Sequence, residues 1–446
     1  MHKTEKTTQP HRELGLLTAT CLVIGNMIGC GIYLLPLSLS KLGSVSVFGW
    51  LTASGGAFLM GVIFARLSQI LPKQGGLFAY TLDGLGKYPA FIVAWHYWLV
   101  AFLGCAGMTV GLLSYLGIFF PALSCSPTTK FIISMVVIWG LTFLNYKGVK
   151  VAGMIQTTTV ILKVLPIFLV TAFGIFYFSP ENFEPFNLTG DSNFSAIGTA
   201  TTMTMWAFIG VESASIPARY VKNPKKNIPR ATLWGVSIAC LIYLSASFVL
   251  QGIIPNHEMQ ASSAPYATAA LTIFSPAYAD YMVGFITFGA LISILGGMNG
   301  WVMLQGQMPY SAACAGIFPK PFSRLSKKET PLFSLIFTAI VISILLFWHC
   351  FLDSVNSFEI IIKLAGFSVL VCYILTIASS LILKKHHVPG YKLGFVDTLL
   401  TLLATLYITW GLYNLDSTVK NIALPLLLLS TFMFVFVRYK KYHPRS

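Results

Sequence analysis

The sequence predicts an all-α polytopic membrane protein of twelve transmembrane helices. Three observations carry this. First, 56% of the 446 residues are hydrophobic and only 10% charged, with a mean hydropathy of +0.75, whereas soluble domains hold roughly 25% charged residues. Second, apolar runs able to cross a bilayer fall at about 14–39, 44–70, 90–118, 131–146, 151–178, 196–216, 231–253, 279–311, 332–351, 358–383, 394–414 and 421–438. Third, basic residues gather in alternate loops, as the positive-inside rule requires.

The third observation sets the topology. On one side lie Lys3, Lys6 and Arg12, then Arg66, Lys73 and Lys87, then Lys147 and Lys150. Arg219, Lys222, Lys225, Lys226 and Arg230 follow the sixth run, Lys320, Arg324, Lys327 and Lys328 the eighth, and Lys384, Lys385 and Lys392 the tenth. With Arg438, Lys440, Lys441 and Arg445 this side holds 24 of the 29 Lys and Arg. The other side has Lys41, Lys130 and Lys420 among Glu181, Glu184, Asp191, Glu258, Asp280, Asp353, Glu359 and Asp416. Both termini are therefore expected in the cytoplasm. The net charge of +15 reads as topology, so no nucleic acid is expected as a partner. The first apolar run is too long for a cleavable signal peptide and leads into further spans.

The first run contains Gly25-Asn26-Met27-Ile28-Gly29-Cys30-Gly31-Ile32, with Pro36 beyond. Glycines in a helix interior weaken it, and freed backbone groups at membrane depth are tolerated only beside protein or a polar cavity. The stretch reads either as a helix broken to line a site, or as a close helix contact through the GxxxG of Gly25 and Gly29. The sixth run tips the balance. Trp206-Ala207-Phe208-Ile209-Gly210-Val211-Glu212-Ser213-Ala214-Ser215-Ile216-Pro217 again has a small-residue centre, an isolated glycine and a proline. Spans one and six enter from opposite faces. Two inverted five-span halves, 14–178 and 196–383, each opening on a broken helix, describe a secondary-transporter architecture with its site at the midplane. Spans eleven and twelve (394–438) stand outside the repeat, and 1–446 form a single transmembrane domain. The loops Ser179–Phe194 and Pro255–Asp280 read as polar and turn-rich. Asn187 and Asn193 head N-x-S/T patterns of the kind that arise by chance.

These residues carry a family resemblance. The Gly25–Pro36 stretch resembles the first helix of amino acid–polyamine–organocation transporters, and Pro72-Lys73-Gln74-Gly75-Gly76 with Tyr80 is similar to their first cytoplasmic loop. Ile209 to Ser215, followed by Val221-Lys222-Asn223-Pro224-Lys225-Lys226-Asn227-Ile228-Pro229, resembles the bacterial arginine/agmatine antiporters most closely. Gly300-Trp301 and Gly316-Ile317-Phe318-Pro319 fit too, so the likeness spans the chain. It implies the leucine-transporter-type fold and alternating access in a bacterial inner membrane. It also implies exchange of an amino acid, arginine among cationic candidates, for a related amine, and a homodimer in many members.

Site residues follow from both lines. Breaking span one frees amides around Ile28, Gly29, Cys30 and Gly31, which suit a carboxylate. Carbonyls of Ala207, Phe208 and Ile209 on span six suit an ammonium. Asn26 is either a polar contact beside them or a helix–helix hydrogen bond. Glu212, an acid deep in a span, is a proton- or substrate-sensitive group or a partner for a neighbouring helix. Lys163, mid-span, is a candidate proton carrier or a fixed structural cation; the resemblance sets it where relatives bind sodium, and the arginine/agmatine antiporters lack it. Lys363 is expected to reach the interface. Trp206, Trp301 and Tyr97 match aromatic gates, against the plainer role of any Trp in packing; a flat cation on Trp301 would be a cation–π contact. Ala101, Cys105 and Ala365 complete the candidate wall. Cys105 and Ala365 replace an Asn and a Ser of the antiporters, which weakens guanidinium recognition and keeps neutral amino acids open through proton-coupled symport.

Other classes fare worse. The scattered cysteines show no CxxC pair, so neither a disulfide framework nor a metal site is expected. There is no HExxH, GxSxG or P-loop signature, and His96 and His349 have no sequence partners for catalysis; no enzyme and no cofactor is expected. A channel would need a continuous pore, which paired broken helices closing over a midplane site do not offer.

Overall fold

Twelve helices are long and apolar enough to cross a membrane, from Leu16–Ser40 to Ser417–Val437. The computed structural model describes residues 12–121, 126–262, 264–352, 357–388, 394–415 and 417–442. Expectations placed on Lys3, Lys6, Cys125, Asp353, Lys392, Asp416 and Arg445 fall outside the described residues, as do those on the side chains of Glu359, Arg438, Lys440 and Lys441. The described residues are helical throughout, joined by turns and one isolated bridge.

Span one is two helices, Leu16–Met27 and Gly31–Ser40. Ile28, at φ −79° and ψ 86°, turns the chain out of the helix. Glycine is needed here for approach as well as for bending. A Cβ on Gly25 would stand 1.8 Å from Nε2 of Gln156, and one on Gly297 would stand 3.3 Å from Cα of Gly29. Both readings of the stretch therefore hold: it is a break and a close contact.

Span six runs as helix over Asn193–Met205, tightens into a 3-10 turn at Trp206–Phe208, and becomes extended at Ile209. Gly210 then takes φ +113°, a left-handed value that favours glycine, and a Cβ there would sit 3.0 Å from Cβ of Asn26. The two breaks thus touch. Beyond Gly210 the chain does not resume an α-helix; it continues as 3-10 turns at Ser213–Ser215 and Ala218–Tyr220.

One expectation needs correcting. The stretch Pro255–Asp280 is largely ordered: it holds helices Asn256–Ala261 and Pro265–Ile273, and span eight already begins at Pro276. Its polar residues alternate with Met259, Tyr266, Ala270 and Ile273, which are buried. These helices lie on the second half of span one. Gln260 Nε2 donates to the Ser40 carbonyl at 3.0 Å, and the Tyr266 ring meets Tyr33 edge-on at 5.3 Å.

At the basic-loop end the bundle is sealed. Leu14 and Val221 form a parallel bridge, with Leu14 N donating to Tyr220 O at 2.9 Å and Lys222 N to Leu14 O at 2.8 Å. Gln74 Nε2 donates to Gln307 Oε1 at 2.9 Å, while Arg219 Nη1 donates to the Tyr310 hydroxyl at 2.8 Å and Arg219 N to Gln74 Oε1 at 3.2 Å. Gly75 N donates to Ile216 O at 2.9 Å, tying the loop after span two to the end of span six.

Candidate functional site

An opened helix in a bilayer must find partners for its freed carbonyls. In span one, side chains from three other spans supply them. Lys163 Nζ donates to Gly25 O at 2.9 Å and also to Ile28 O. Trp301 Nε1 donates to Asn26 O at 3.2 Å, Tyr243 OH to Met27 O at 2.6 Å, and Ser293 Oγ to Gly29 O at 3.0 Å. Lys163 is fully buried, and no carboxylate lies within ion-pair distance among the described residues. It lies against the break itself.

The amides behave differently. Gly29 N is spent on Met27 O at 2.9 Å, so it departs from the expectation of a free donor. Gly31 and Ile32 open the second half-helix, and the carbonyls four residues earlier, Met27 O and Ile28 O, accept from Tyr243 and Lys163 instead of from their N–H groups. On span six, Ala207 O accepts from Tyr243 OH at 3.0 Å and is likewise occupied. Tyr243 therefore holds one hydrogen between two carbonyls, one at each break. The carbonyls of Phe208 and Ile209 have no donor among the described residues.

Asn26 is tied on both sides. Its Nδ2 donates to Ser213 Oγ at 2.8 Å and its Oδ1 accepts from Gln156 Nε2 at 3.5 Å. The chain of amides continues through Asn299, whose Nδ2 donates to Ala152 O at 3.0 Å, to Asn145, whose Nδ2 reaches Asn299 Oδ1 at 3.1 Å. This arrangement serves both readings of Asn26: it bonds between helices and it borders the cavity.

Glu212 is fully buried. Oε1 accepts from Tyr97 OH at 2.7 Å and Oε2 from Tyr373 OH at 2.6 Å, joining span six to spans three and ten. Tyr97 also lies 6.1 Å from the Trp301 ring, at 35°.

Between the breaks lies a cavity of about 30 Å³, bordered by Asn26, Gly29, Cys30, Gly31, Trp206, Ala207, Ile209 and Trp301 of the expected set. Met27, Val100, Gly104 and Met108 complete it. That space holds one or two waters and no amino acid, so the site is collapsed. Ile28, Tyr97, Ala101, Cys105, Phe208 and Ala365 do not border it, although each is buried. Phe208 faces the other way, edge-on to Trp50 and Tyr243 at 6.1 and 5.0 Å.

Trp206 also borders a second cavity of about 400 Å³, between the second half of span one, the first half of span six and spans ten to twelve. Lys41 and Lys363 line it. Of the two readings of Lys363, interface or pathway, the second accords with its place in the lining of this vestibule. Trp206 is the residue common to the borders of both cavities.

Tyr243, Ser293, Tyr373 and Gln156 went unnoticed in the sequence. A buried tyrosine or serine in an apolar run is the only signal, and many such residues are present.

The chain matches the amino acid permease family over residues 14–437. It is 30% identical over 405 residues to the putrescine transporter PotE of Escherichia coli K12, covering 90% of this chain and 91% of that one. It is 31% identical over 362 residues to the cadaverine/lysine antiporter of the same strain, 80% of each, and 28% identical over 432 residues to PotE of Haemophilus influenzae, covering 96% and 98%. Twelve apolar spans, a pair of facing helix breaks and these matches agree: the chain is a multi-pass membrane protein of the transport type, not an enzyme, and belongs to the amino acid permease family.

Proposed function

We propose that this protein is a secondary active transporter that works by alternating access, exchanging an amino acid for a related amino acid or amine. The observation that carries the reading is the seat between the two breaks. The open amide at Gly31 suits a carboxylate, and the open carbonyl at Ile209 suits an ammonium. Names borne by relatives, a putrescine transporter and a cadaverine/lysine antiporter, favour cationic amino acids and their amines. Trp301 offers a ring for a flat cation such as that of arginine, while Cys105 and Ala365 add no polar contact to the cavity.

In this reading Trp206 and Trp301 are gates and Glu212 is the proton-sensitive tie among spans three, six and ten. Residues 14–178 and 196–383 are the inverted halves, and 394–438 lie outside them. Both termini are cytoplasmic in a bacterial plasma membrane, which places the sealed end inside and the vestibule outside; a homodimer is the proposed assembly. The test is counterflow in proteoliposomes loaded with labelled arginine, lysine or a neutral amino acid. Release of label that depends strictly on an external amino acid or amine supports exchange; release without external substrate defeats it.

Lys163 favours a second reading, proton-coupled symport of neutral amino acids. Its ammonium is bonded to the break of span one, so its loss of a proton would remove the charge from those bonds and loosen that break. An imposed proton gradient driving net uptake into empty vesicles distinguishes this reading from exchange.

A further inference from the structure

Away from the site, a cavity of about 420 Å³ opens between spans three, nine and twelve and the turn joining spans eight and nine. Every residue lining it is apolar or aromatic, among them Phe91, Trp95, Trp98, Phe322, Phe337 and Met433. Phe91 lies one turn from the start of span three at Lys87, and Phe322 lies in the 3-10 turn Lys320–Ser323. The recess therefore sits at the basic-loop end of the bundle. It faces outward: the Phe337 ring, on its wall, is 40% exposed. Trp98 is fixed by an indole bond to Thr338 Oγ1 at 2.9 Å, but the buried Trp95 N–H has no acceptor among the described residues.

The rim supplies the headgroup chemistry. Lys87, Lys320 and Arg324 are exposed, and none is in an ion pair among the described residues. Asp83, the acid nearest Lys87 in sequence, is already engaged by Lys73 at 3.8 Å and His387 at 2.5 Å. We propose that this recess is a binding site for an anionic phospholipid, with an acyl chain among the aromatic rings and the phosphate on Lys87, Lys320 and Arg324. An apolar slot whose lining residues Phe91, Pro319 and Phe322 stand within four residues of exposed, unpaired cations fits a lipid of that charge. A second copy of this chain, which would close the slot without using the cations, is the competing occupant.

The test uses the full chain in phosphatidylcholine vesicles, with tryptophan fluorescence quenched by a small fraction of either phosphatidylglycerol or phosphatidylcholine carrying brominated acyl chains. The W95F/W98F variant defines the recess's share of the quenching. At equal mole fraction, brominated phosphatidylglycerol should quench that share with a roughly tenfold preference, the scale that basic side chains at a surface give. The variant K87Q/K320Q/R324Q, changed only at exposed positions, should lower the ratio to near one while leaving exchange activity intact, and it carries the test alone if W95F/W98F does not fold. Equal quenching by the two headgroups in the unaltered protein overturns the proposal. So does quenching by neither, which is what occupation of the recess by a second copy would give.

Discussion

Replacing Glu212 with Gln is the sharpest perturbation of the site, because it keeps the shape and changes only charge and hydrogen-bond polarity. The carboxylate accepts one phenol on each oxygen, from Tyr97 at 2.7 Å and Tyr373 at 2.6 Å. Bonds to a charged group contribute about 1.5–3 kcal/mol each and neutral ones about 1. In the amide, one phenol keeps a neutral acceptor; the other faces an NH₂ group and must turn its hydrogen away. The tie joining span six to spans three and ten should weaken by roughly 2–4 kcal/mol in all. Exchange should become insensitive to pH, with a lower thermal stability in detergent. Because the three groups act as one unit, adding Tyr97→Phe or Tyr373→Phe to Glu212→Gln should cost much less than either does alone. Exchange in proteoliposomes buffered across the pH range, with the double-mutant cycle, decides the matter. An unchanged pH profile, or strictly additive effects, would refute the reasoning.

Three further outcomes follow from the geometry. Trp206→Ala should join the vestibule to the inner cavity, so that Cys30, which borders that cavity and is otherwise buried, is labelled faster by an impermeant maleimide from the vestibule side; unchanged labelling removes Trp206 as the barrier. Gly300→Ala places a Cβ 1.8 Å from Asn26 Oδ1 and 3.0 Å from Gln156 Nε2. Overpacking there should cost about 1–3 kcal/mol and abolish exchange, whereas Gly366→Ala, with nothing within 4 Å, should be silent in the same transport assay. Arg219→Ala removes the bond to Tyr310 and a guanidinium 4.8 Å from the Tyr220 ring. That loosens the sealed end by about 1–2 kcal/mol, and a Ser311→Cys reporter should become more reactive from that side.

What the sequence made legible is what a membrane enforces on a chain one residue at a time. Solvation in lipid demands long apolar runs, and translocation sorts Lys and Arg by loop, so the twelve spans could be read. Glycine clusters at Gly25–Gly31 and Gly210 were readable for a similar reason: a helix interior does not carry them without a purpose. Glu212 and Lys163 stood out because burying a charge is costly anywhere, and each is indeed held by specific partners. The helices in Pro255–Asp280 were missed because their short amphipathic faces are buried only by span one and its neighbours. Local composition there reads as turn.

The residues that complete the break were hidden for a deeper reason. Tyr243 and Ser293 are ordinary members of apolar helices until span one opens; only then do Met27 and Gly29 present carbonyls needing a donor. Their role is set by what another span lacks, and a single sequence does not display that lack at the donor's position. The same logic explains the polarity of the seat. Donors from spans five, seven and eight have quenched the acceptors of span one, so its remaining capacity is for an anion, at Gly31. Span six keeps an acceptor at Ile209 for a cation. A ligand with both a carboxylate and an ammonium satisfies the two breaks at once, while a diamine leaves the amide of span one unanswered. The breaks by themselves thus rank an amino acid above its decarboxylated amine.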